Sequence, residues 1–149
     1  MANLTVTHTE DITLNGQQFG GTTIKSFSGI NEISKRIATI TTTEVTIATF
    51  GIAAGQGIYI AADVKYIRFT NLDGTNFIML TFKDEDNTEF RIKVDAGQSF
   101  IYNGDNAGGL VDTMKSNGAA LSSGLADLYD ITADADTASC DLEMIVASV

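Results

Sequence analysis

Hydrophobic and polar residues alternate along most of this chain, in short segments separated by turns that contain glycine and asparagine. An alternation with a period of two places the apolar side chains on one face of a β-strand. Valine, isoleucine and threonine are abundant, and these residue types also favour extended chain. The pattern predicts strands at residues 4–8, 22–28, 32–40, 44–50, 58–60, 64–72, 76–83, 89–94, 99–103, 128–133 and 139–146, with a further alternating pair at Ile12 and Leu14.

Two segments have a second interpretation. Residues 33–40 also fit the spacing of a short amphipathic helix, but the threonine run that begins at Thr41 favours a strand. Residues 45–62 carry no charge over about the length of a transmembrane helix. Glycines interrupt that segment, so we expect two strands around a glycine loop and no membrane span.

The centre of the chain gives the most specific prediction, an antiparallel meander of the segments 64–72, 76–83 and 89–94. The dipeptide Asp73-Gly74 is typical of a two-residue hairpin turn, because both residues tolerate a positive φ. A second turn is expected at residues 84–88. These turns set apolar residues opposite one another on one face: Phe69 with Ile78, Ile67 with Leu80, Leu80 with Ile92, and Phe82 with Phe90.

The fold class predicted from this pattern is all-β, an antiparallel β-sandwich or jelly-roll-like arrangement that forms a single domain over residues 1–149. Between residues 104 and 118 the strand pattern stops, which indicates one long loop that carries at most a short helix. A long glycine-rich loop between otherwise short connections is typical of a functional surface. We therefore predict that it makes protein contacts through Gly108, Gly109, Leu110, Val111, Met114 and Asn117.

The charge balance narrows the choice of partners. Nineteen Asp and Glu residues against nine Lys and Arg residues give a formal net charge of -10, which repels both the phosphates of nucleic acid and anionic membrane surfaces. Cys140 is the only cysteine, so no intrachain disulfide can form. The first eight residues lack the basic and apolar segments of a signal peptide, so synthesis and folding in a cytoplasm are expected.

The sequence shows no recognisable catalytic constellation, so we predict a protein without enzyme activity, cofactor or bound metal. The only histidine, His8, stands in a threonine-rich strand and is expected to be half-buried there. One histidine and one cysteine cannot supply the usual ligand set for zinc. The glycines of segment 51–57 are spaced in the reverse order of the G-x-G-x-x-G motif of a dinucleotide-binding loop. A helix follows that motif, whereas a strand is expected after this segment.

Three kinds of site stay open on sequence alone. Calcium could bind the acidic turn at residues 84–87 or the group Asp130, Asp134 and Asp136, although solvated loops are expected at both. Any two of the acidic side chains could meet as the carboxylate pair of a glycoside hydrolase. A sugar-stacking surface could draw on aromatic side chains, for which packing is the simpler interpretation: Tyr59, Tyr66, Phe77 and Tyr102.

Two segments carry a resemblance to a known class of proteins. Residues 63–78 form a strand that ends in Asn-Leu-Asp and a small turn, and residues 90–100 end in Ala-Gly-Gln-Ser-Phe. This combination resembles a module in small structural proteins of tailed bacteriophages. The threonine-rich opening and the glycine loop are similar to proteins of marine cyanophage type.

The resemblance implies a non-enzymatic virion protein with a β-sandwich or jelly-roll fold. A capsid decoration or cement protein of the phage head is the expected role, and a tail or fibre component is the alternative. The implied partners are further copies of the chain, as a dimer or trimer, and the major capsid protein or another virion protein. A carbohydrate-binding β-sandwich module also stays open, because the sequence contains no signature that decides between these roles.

Overall fold

The computed structural model describes residues 1–104, 108–120 and 124–149, and in these residues the regular structure consists entirely of β-strands. The described parts of the chain contain no helical segment of the length and apolarity that a bilayer-spanning helix needs. The strands are β1 (Ala2–Thr9), β2 (Thr13–Leu14), β3 (Gln17–Gln18), β4 (Thr22–Ile30), β5 (Glu32–Ile40), β6 (Val45–Gly51), β7 (Ile58–Ile60), β8 (Val64–Asn71), β9 (Ile78–Asp84), β10 (Glu89–Val94), β11 (Ser99–Asn103), β12 (Leu128–Ala135) and β13 (Cys140–Ser148).

Two sheets pack face to face and form a β-sandwich, which confirms the predicted fold class. One sheet has five strands in the order β10-β9-β12-β6-β7, and the other has four in the order β11-β8-β13-β5. All strand pairs of the sandwich are antiparallel except β6 and β7, which run parallel around the glycine loop at residues 52–57. The interpretation of residues 45–62 as two strands is therefore confirmed.

The core lies between the inner faces of the two sheets. Phe69 on β8 meets Phe82 on β9 across the core, with the rings edge to face and their centroids 6.2 Å apart. Phe82 also stacks on Phe90 of β10 at a centroid distance of 4.8 Å. Alternation along each strand brings these side chains to one side, as the sequence pattern predicted.

The predicted meander is wrong in one connection. β8 lies in the four-stranded sheet and β9 in the five-stranded sheet, so residues 72–77 cross from one sheet to the other and form no hairpin. The buried Asn71 side chain holds this crossing: its Nδ2 donates to the carbonyl oxygens of Asn76 at 2.8 Å and Val94 at 3.1 Å. Asp73 Oδ1 then accepts the N–H groups of Thr75 and Asn76, which replaces the hairpin ladder by a side-chain cap.

The remaining part of the meander has the predicted register. β9 and β10 form an antiparallel hairpin with Leu80 opposite Ile92 and Phe82 opposite Phe90. Phe69, Ile78 and Leu80 are fully buried, so their assignment to one apolar core is also correct. Phe69 reaches Phe82 from the opposite sheet, however, and has no partner of its own on β9.

The N-terminal residues form a separate β-ribbon outside the sandwich. β1 pairs with β4, and the short strands β2 and β3 extend the same hairpin toward its tip. The base of the ribbon packs Phe27 and Ile30 against Tyr66 and Ala147 on the outer face of the four-stranded sheet. The ribbon leaves the sandwich at Gly29, whose φ of +79° suits glycine, where the register between β1 and β4 shifts by a bulge.

The two ends of the sandwich hold different connections. At one end, β5 and β8 begin and β13 ends. The ribbon leaves the sandwich at this end. The start of β12 and the end of β9 lie at the same end, together with the loop after β11. We call this the arm end. The far end holds the connections at residues 41–44, 72–77, 95–98 and 136–139.

Candidate functional site

The loop after β11 closes the arm end of the sandwich. Of its predicted contact residues, Leu110 is fully buried and Met114 nearly so, and both belong to the core. The interaction prediction is therefore wrong for these two side chains, because a partner cannot reach them. Val111 is half-buried against the core, Gly108 is half-buried and Asn117 is exposed, so for these residues a contact role stays a prediction.

Backbone hydrogen bonds hold this loop in place. Leu110 N–H donates to the Ala61 carbonyl at 2.6 Å, and Met114 exchanges hydrogen bonds with Ala126 at 3.0 and 2.9 Å. Gly109 has a φ of +65°, and a Cβ at this position would collide with the carbonyl oxygens of Ala61 and Ala62. The glycine is thus required by close backbone packing. At Gly109, the glycine content that predicted a contact loop therefore reflects the packing of the loop against the chain's own backbone.

His8 and Cys140, the only histidine and the only cysteine of the chain, lie on different strands. His8 lies on the ribbon, where it is exposed and not half-buried as predicted, and its Nε2 is 3.5 Å from Glu10 Oε1. Cys140 is buried at the start of β13. Burial raises the pKa of the Cys140 thiol, and three nearby aspartates raise it further: Asp73, Asp136 and Asp141.

The environment of Cys140 predicts an inert thiol. A thiolate is the reactive form, and both the burial and the raised pKa of Cys140 oppose it. We expect native protein at neutral pH to react with a colorimetric thiol reagent at least about a hundredfold more slowly than protein in denaturant. Rapid, stoichiometric labelling of the native protein would show that β13 opens readily.

The acidic groups also have local partners. In the turn after β9, Asp84 is buried and its Oδ1 accepts the Thr88 N–H at 2.6 Å, so this carboxylate caps its own turn. Asp134 forms an ion pair with Arg91 at 2.5 Å. Among the described residues, no three or more His, Cys, Asp or Glu side chains are grouped in a way that could hold a metal ion.

Two carboxylate oxygens make the metal question worth testing. Asp84 Oδ2 and Asp130 Oδ1 are both buried and have no hydrogen-bond partner. We expect that excess chelator leaves the melting temperature unchanged, because among the described residues neither carboxylate belongs to a group of three or more possible ligands, and Ca²⁺ needs about six to eight oxygen ligands. A fall of more than about ten degrees in chelator, reversed by added Ca²⁺ but not by Mg²⁺, would show that a cation binds at one of these carboxylates.

The aromatic residues considered for sugar stacking do not share a surface. Tyr66 is covered by the base of the ribbon, and Tyr102 packs against Phe82 inside the sandwich. Tyr59 donates a hydrogen bond to Ser34, and Lys93 lies over the ring of Phe77. Among the described residues, the carboxyl groups with a displaced pKa have it lowered, mainly by hydrogen bonds or ion pairs: Glu44, Asp73 and Glu143. A raised pKa, which marks a general acid, is not found among these three.

The ribbon presents an apolar surface that the sequence interpretation did not assign. We call residues 2–30 the arm and residues 10–21 its tip. Four large apolar side chains on the arm, Ile12, Leu14, Phe19 and Ile24, are between 53% and 64% exposed. The segment from Ile12 to Ile24 contains no ionisable side chain, although the whole chain has a net charge of -10. This uncharged run is the sequence signal for the surface, whereas the glycines within it indicate only turns.

The four-stranded sheet has a long open edge. β5 is its last strand, nine residues long, and on the described residues only β13 pairs with it. Ile33 and Ile37 point outward from this strand and are 60% and 57% exposed. A regular edge of this length without proline is a template for pairing with another chain.

A pocket of about 470 Å³ opens at the arm end. Its walls come from the end of β6, the residues after β7, the loop after β11 and the start of β12. They are mostly apolar and include Phe50, Ile52, Ile60, Val111, Leu128 and Tyr129. Two acids, Glu85 and Asp127, stand at its rim, and we call this cavity the end pocket.

The rim acids of the end pocket are tied into the backbone. Asp127 Oδ1 accepts the Asp112 N–H at 2.8 Å, and Asp127 N–H donates to Glu85 Oε1 at 3.4 Å. Ile52, in the glycine loop, stands fully exposed at the mouth. The pocket thus offers an apolar interior behind a negative rim.

Comparisons with known proteins give little further information. No protein-family model matches the chain, and no curated protein matches it. A solved structure with some similarity is described by the words "Bacillus endospore appendages form a novel family of disulfide-linked pili". It is 14% identical, the match covers 79% of this chain and 85% of the other, and the TM-score is 0.46. At that level neither the pilus assembly nor the disulfide links of that protein transfer to this chain.

Proposed function

We propose that this chain is a non-enzymatic structural subunit that associates with copies of itself in a larger protein assembly. The arm is the observation that carries this proposal. It holds half-exposed apolar side chains on an uncharged segment, outside the core of the chain's own sandwich. Large exposed apolar surfaces on an otherwise well-packed protein are typical of interaction sites.

The dimensions of the arm support an intermolecular role. Twelve residues, 17–28, lie between the turn at Asn15-Gly16 and Gly29, which corresponds to a reach of at most roughly 40 Å at the rise of a β-strand. A two-stranded ribbon without a third strand or a core is at best marginally stable in water. Contact with a partner would stabilise it, and covering each half-exposed Ile, Leu or Phe would contribute about 1 kcal/mol.

A bacteriophage virion is the assembly that the sequence resemblance implies. Within it we propose a capsid decoration or cement protein on the head, and a tail or fibre component as the second candidate. This finer assignment rests on residues 63–78 and 90–100 alone. The negative charge of the chain is compatible with a position on the outside of a particle, away from the packaged nucleic acid.

Two experiments test the proposal, one for self-association and one for the position of the protein on a virion. Sedimentation velocity over a wide concentration range should show dimers, trimers or larger species of the full chain, and a monomer at every concentration would contradict self-association. Gold-labelled antibody on particles purified from the expressing source should mark heads if the decoration assignment is correct. Label on tails would support the second candidate, and unlabelled particles would reject the virion role.

A further inference from the structure

We propose that the tip of the arm docks in the end pocket of a second copy of this chain. This inference rests on the self-association proposed above and specifies the two surfaces that meet. The end pocket is concave and apolar, and the tip carries Leu14 and Phe19 on a narrow projection. A pocket of about 470 Å³ is large enough for side chains of this size.

Electrostatics selects the tip as the occupant. Glu85 and Asp127 make the rim of the end pocket negative, and the rest of this chain is rich in carboxylates. A segment that brought further acids to the rim would be repelled, and one that brought a charge into the apolar interior would have to desolvate it. Residues 12–19, the outer part of the tip, bring neither, because they contain no ionisable side chain. The two acids at the base of the tip have partners within the arm: Asp11 Oδ1 accepts a hydrogen bond from Gln18 Nε2 at 2.6 Å, and Glu10 Oε1 lies 3.5 Å from His8 Nε2.

The position of the two surfaces favours a reciprocal contact. The arm leaves the sandwich at the start of β5, and the end pocket is built from the start of β12 and the end of β6. Both therefore lie at the arm end. Two copies that face each other with their arm ends can each insert a tip into the other, which is a closed, isologous arrangement that covers both apolar surfaces at once.

A crosslinking experiment tests the contact directly. The variants F19C and I52C are made in separate preparations of the full chain, mixed, and oxidised mildly. Both positions are exposed, whereas the native Cys140 is buried and should not compete. We expect a disulfide-linked dimer that contains one copy of each variant.

The control replaces a residue at the opposite end of the sandwich. Leu72 is an apolar residue, 47% exposed, in the far-end connection between β8 and β9. A mixture of F19C with L72C should give little crosslink. Equal crosslinking to Leu72, or a preference for I37C on the edge strand β5, would overturn the docking site.

The same crosslink also distinguishes docking between two copies from docking of an arm in the end pocket of its own chain. If the F19C/I52C double variant forms its disulfide within one chain at high dilution, the arm closes on its own pocket and the proposal is wrong. If the chain assembles but F19C and I52C do not crosslink, this inference fails while self-association stands. If the chain is a monomer throughout, the proposed function fails as well.

A second measurement addresses the pocket without a crosslink. Ile52→Asp adds a third carboxylate at the mouth, next to Glu85 and Asp127. We expect it to raise the Kd for self-association by at least about tenfold, because a charge opposes apolar docking. Leu72→Asp, which adds the same charge at the far end, should change the Kd by less than about twofold. Equal effects of the two variants would show that net charge alone controls association.

Discussion

Replacing Leu80 by alanine is expected to lower the free energy of unfolding by about 2–5 kcal/mol. Leu80 is fully buried on β9, between β10 and β12 and facing the four-stranded sheet. Both neighbours supply fixed partners, Ile92 on β10 and Ala133 on β12, so the surrounding strands cannot collapse freely into the space that the side chain leaves. The cavity cost therefore adds to the lost transfer free energy.

Met79 provides the matched control for this substitution. It precedes Leu80 on the same strand and points to the opposite, half-exposed face. Met79→Ala should cost less than half as much as Leu80→Ala in chemical denaturation followed by circular dichroism. If Leu80→Ala cost less than about 0.5 kcal/mol, the inner face of β9 would be assigned wrongly.

Deleting residues 108–117 is expected to prevent formation of the native fold. The deletion removes Leu110 and Met114 from the core, and Leu110 also bonds to Ala61 and Leu128 through its backbone. Loss of two large buried side chains costs roughly 4–10 kcal/mol if their effects add, which is comparable to the whole stability of a domain. Loss of near-ultraviolet circular dichroism and of a cooperative melt would show this effect.

Two point variants separate the core role of this loop from a contact role. Leu110→Ala should destabilise the fold by about 2–5 kcal/mol, whereas Asn117→Ala, at an exposed position, should leave the melt within about a degree. If the deletion left a cooperative melt at the original temperature, the loop would be a dispensable contact surface, as the sequence pattern alone indicates.

The sequence predicts the strands well because most of them have one buried and one exposed face. The alternation at residues 78–84 and 89–94 determines both the strands and their register, and the structure has the same pairs. The connection at Asp73-Gly74 shows the limit of local turn rules. A hairpin and a crossing between sheets use the same residue types there, and the choice depends on contacts of Asn71 with Asn76 and with the distant Val94.

The contact prediction for the loop after β11 and the unrecognised apolar surface of the arm have a related cause. Gly109 in the loop satisfies a close approach to Ala61 and Ala62, and that approach exists only in the folded chain. Nothing local distinguishes such a glycine from one in an open loop. The exposed Ile24 alternates like a core residue, because the alternation of a strand shows which side chains share a face but not whether another element covers that face.

The charge distribution connects the fold to the proposed assembly. Copies with a net charge of -10 repel one another, so a stable contact is favoured where at least one of the two surfaces carries no acidic group. The segment from Ile12 to Ile24 is such a surface, and Lys35 and Arg68 compensate Glu143 on the outer face of the four-stranded sheet. Self-association is therefore expected to strengthen as added salt screens the remaining repulsion.

The most direct test of self-association through the arm is to shorten the arm without disturbing its base. Thr9 pairs with Thr22, so residues 10–21 can be replaced by the dipeptide Asn-Gly, which closes a two-residue hairpin at that pair. This variant keeps the contacts of Phe27 and Ile30 and loses Ile12, Leu14 and Phe19. In sedimentation velocity the full chain should associate and the shortened chain should be a monomer, with equal melting temperatures for the two when they are diluted to monomers. A shortened chain that associates as strongly as the full chain would contradict the role assigned to the arm.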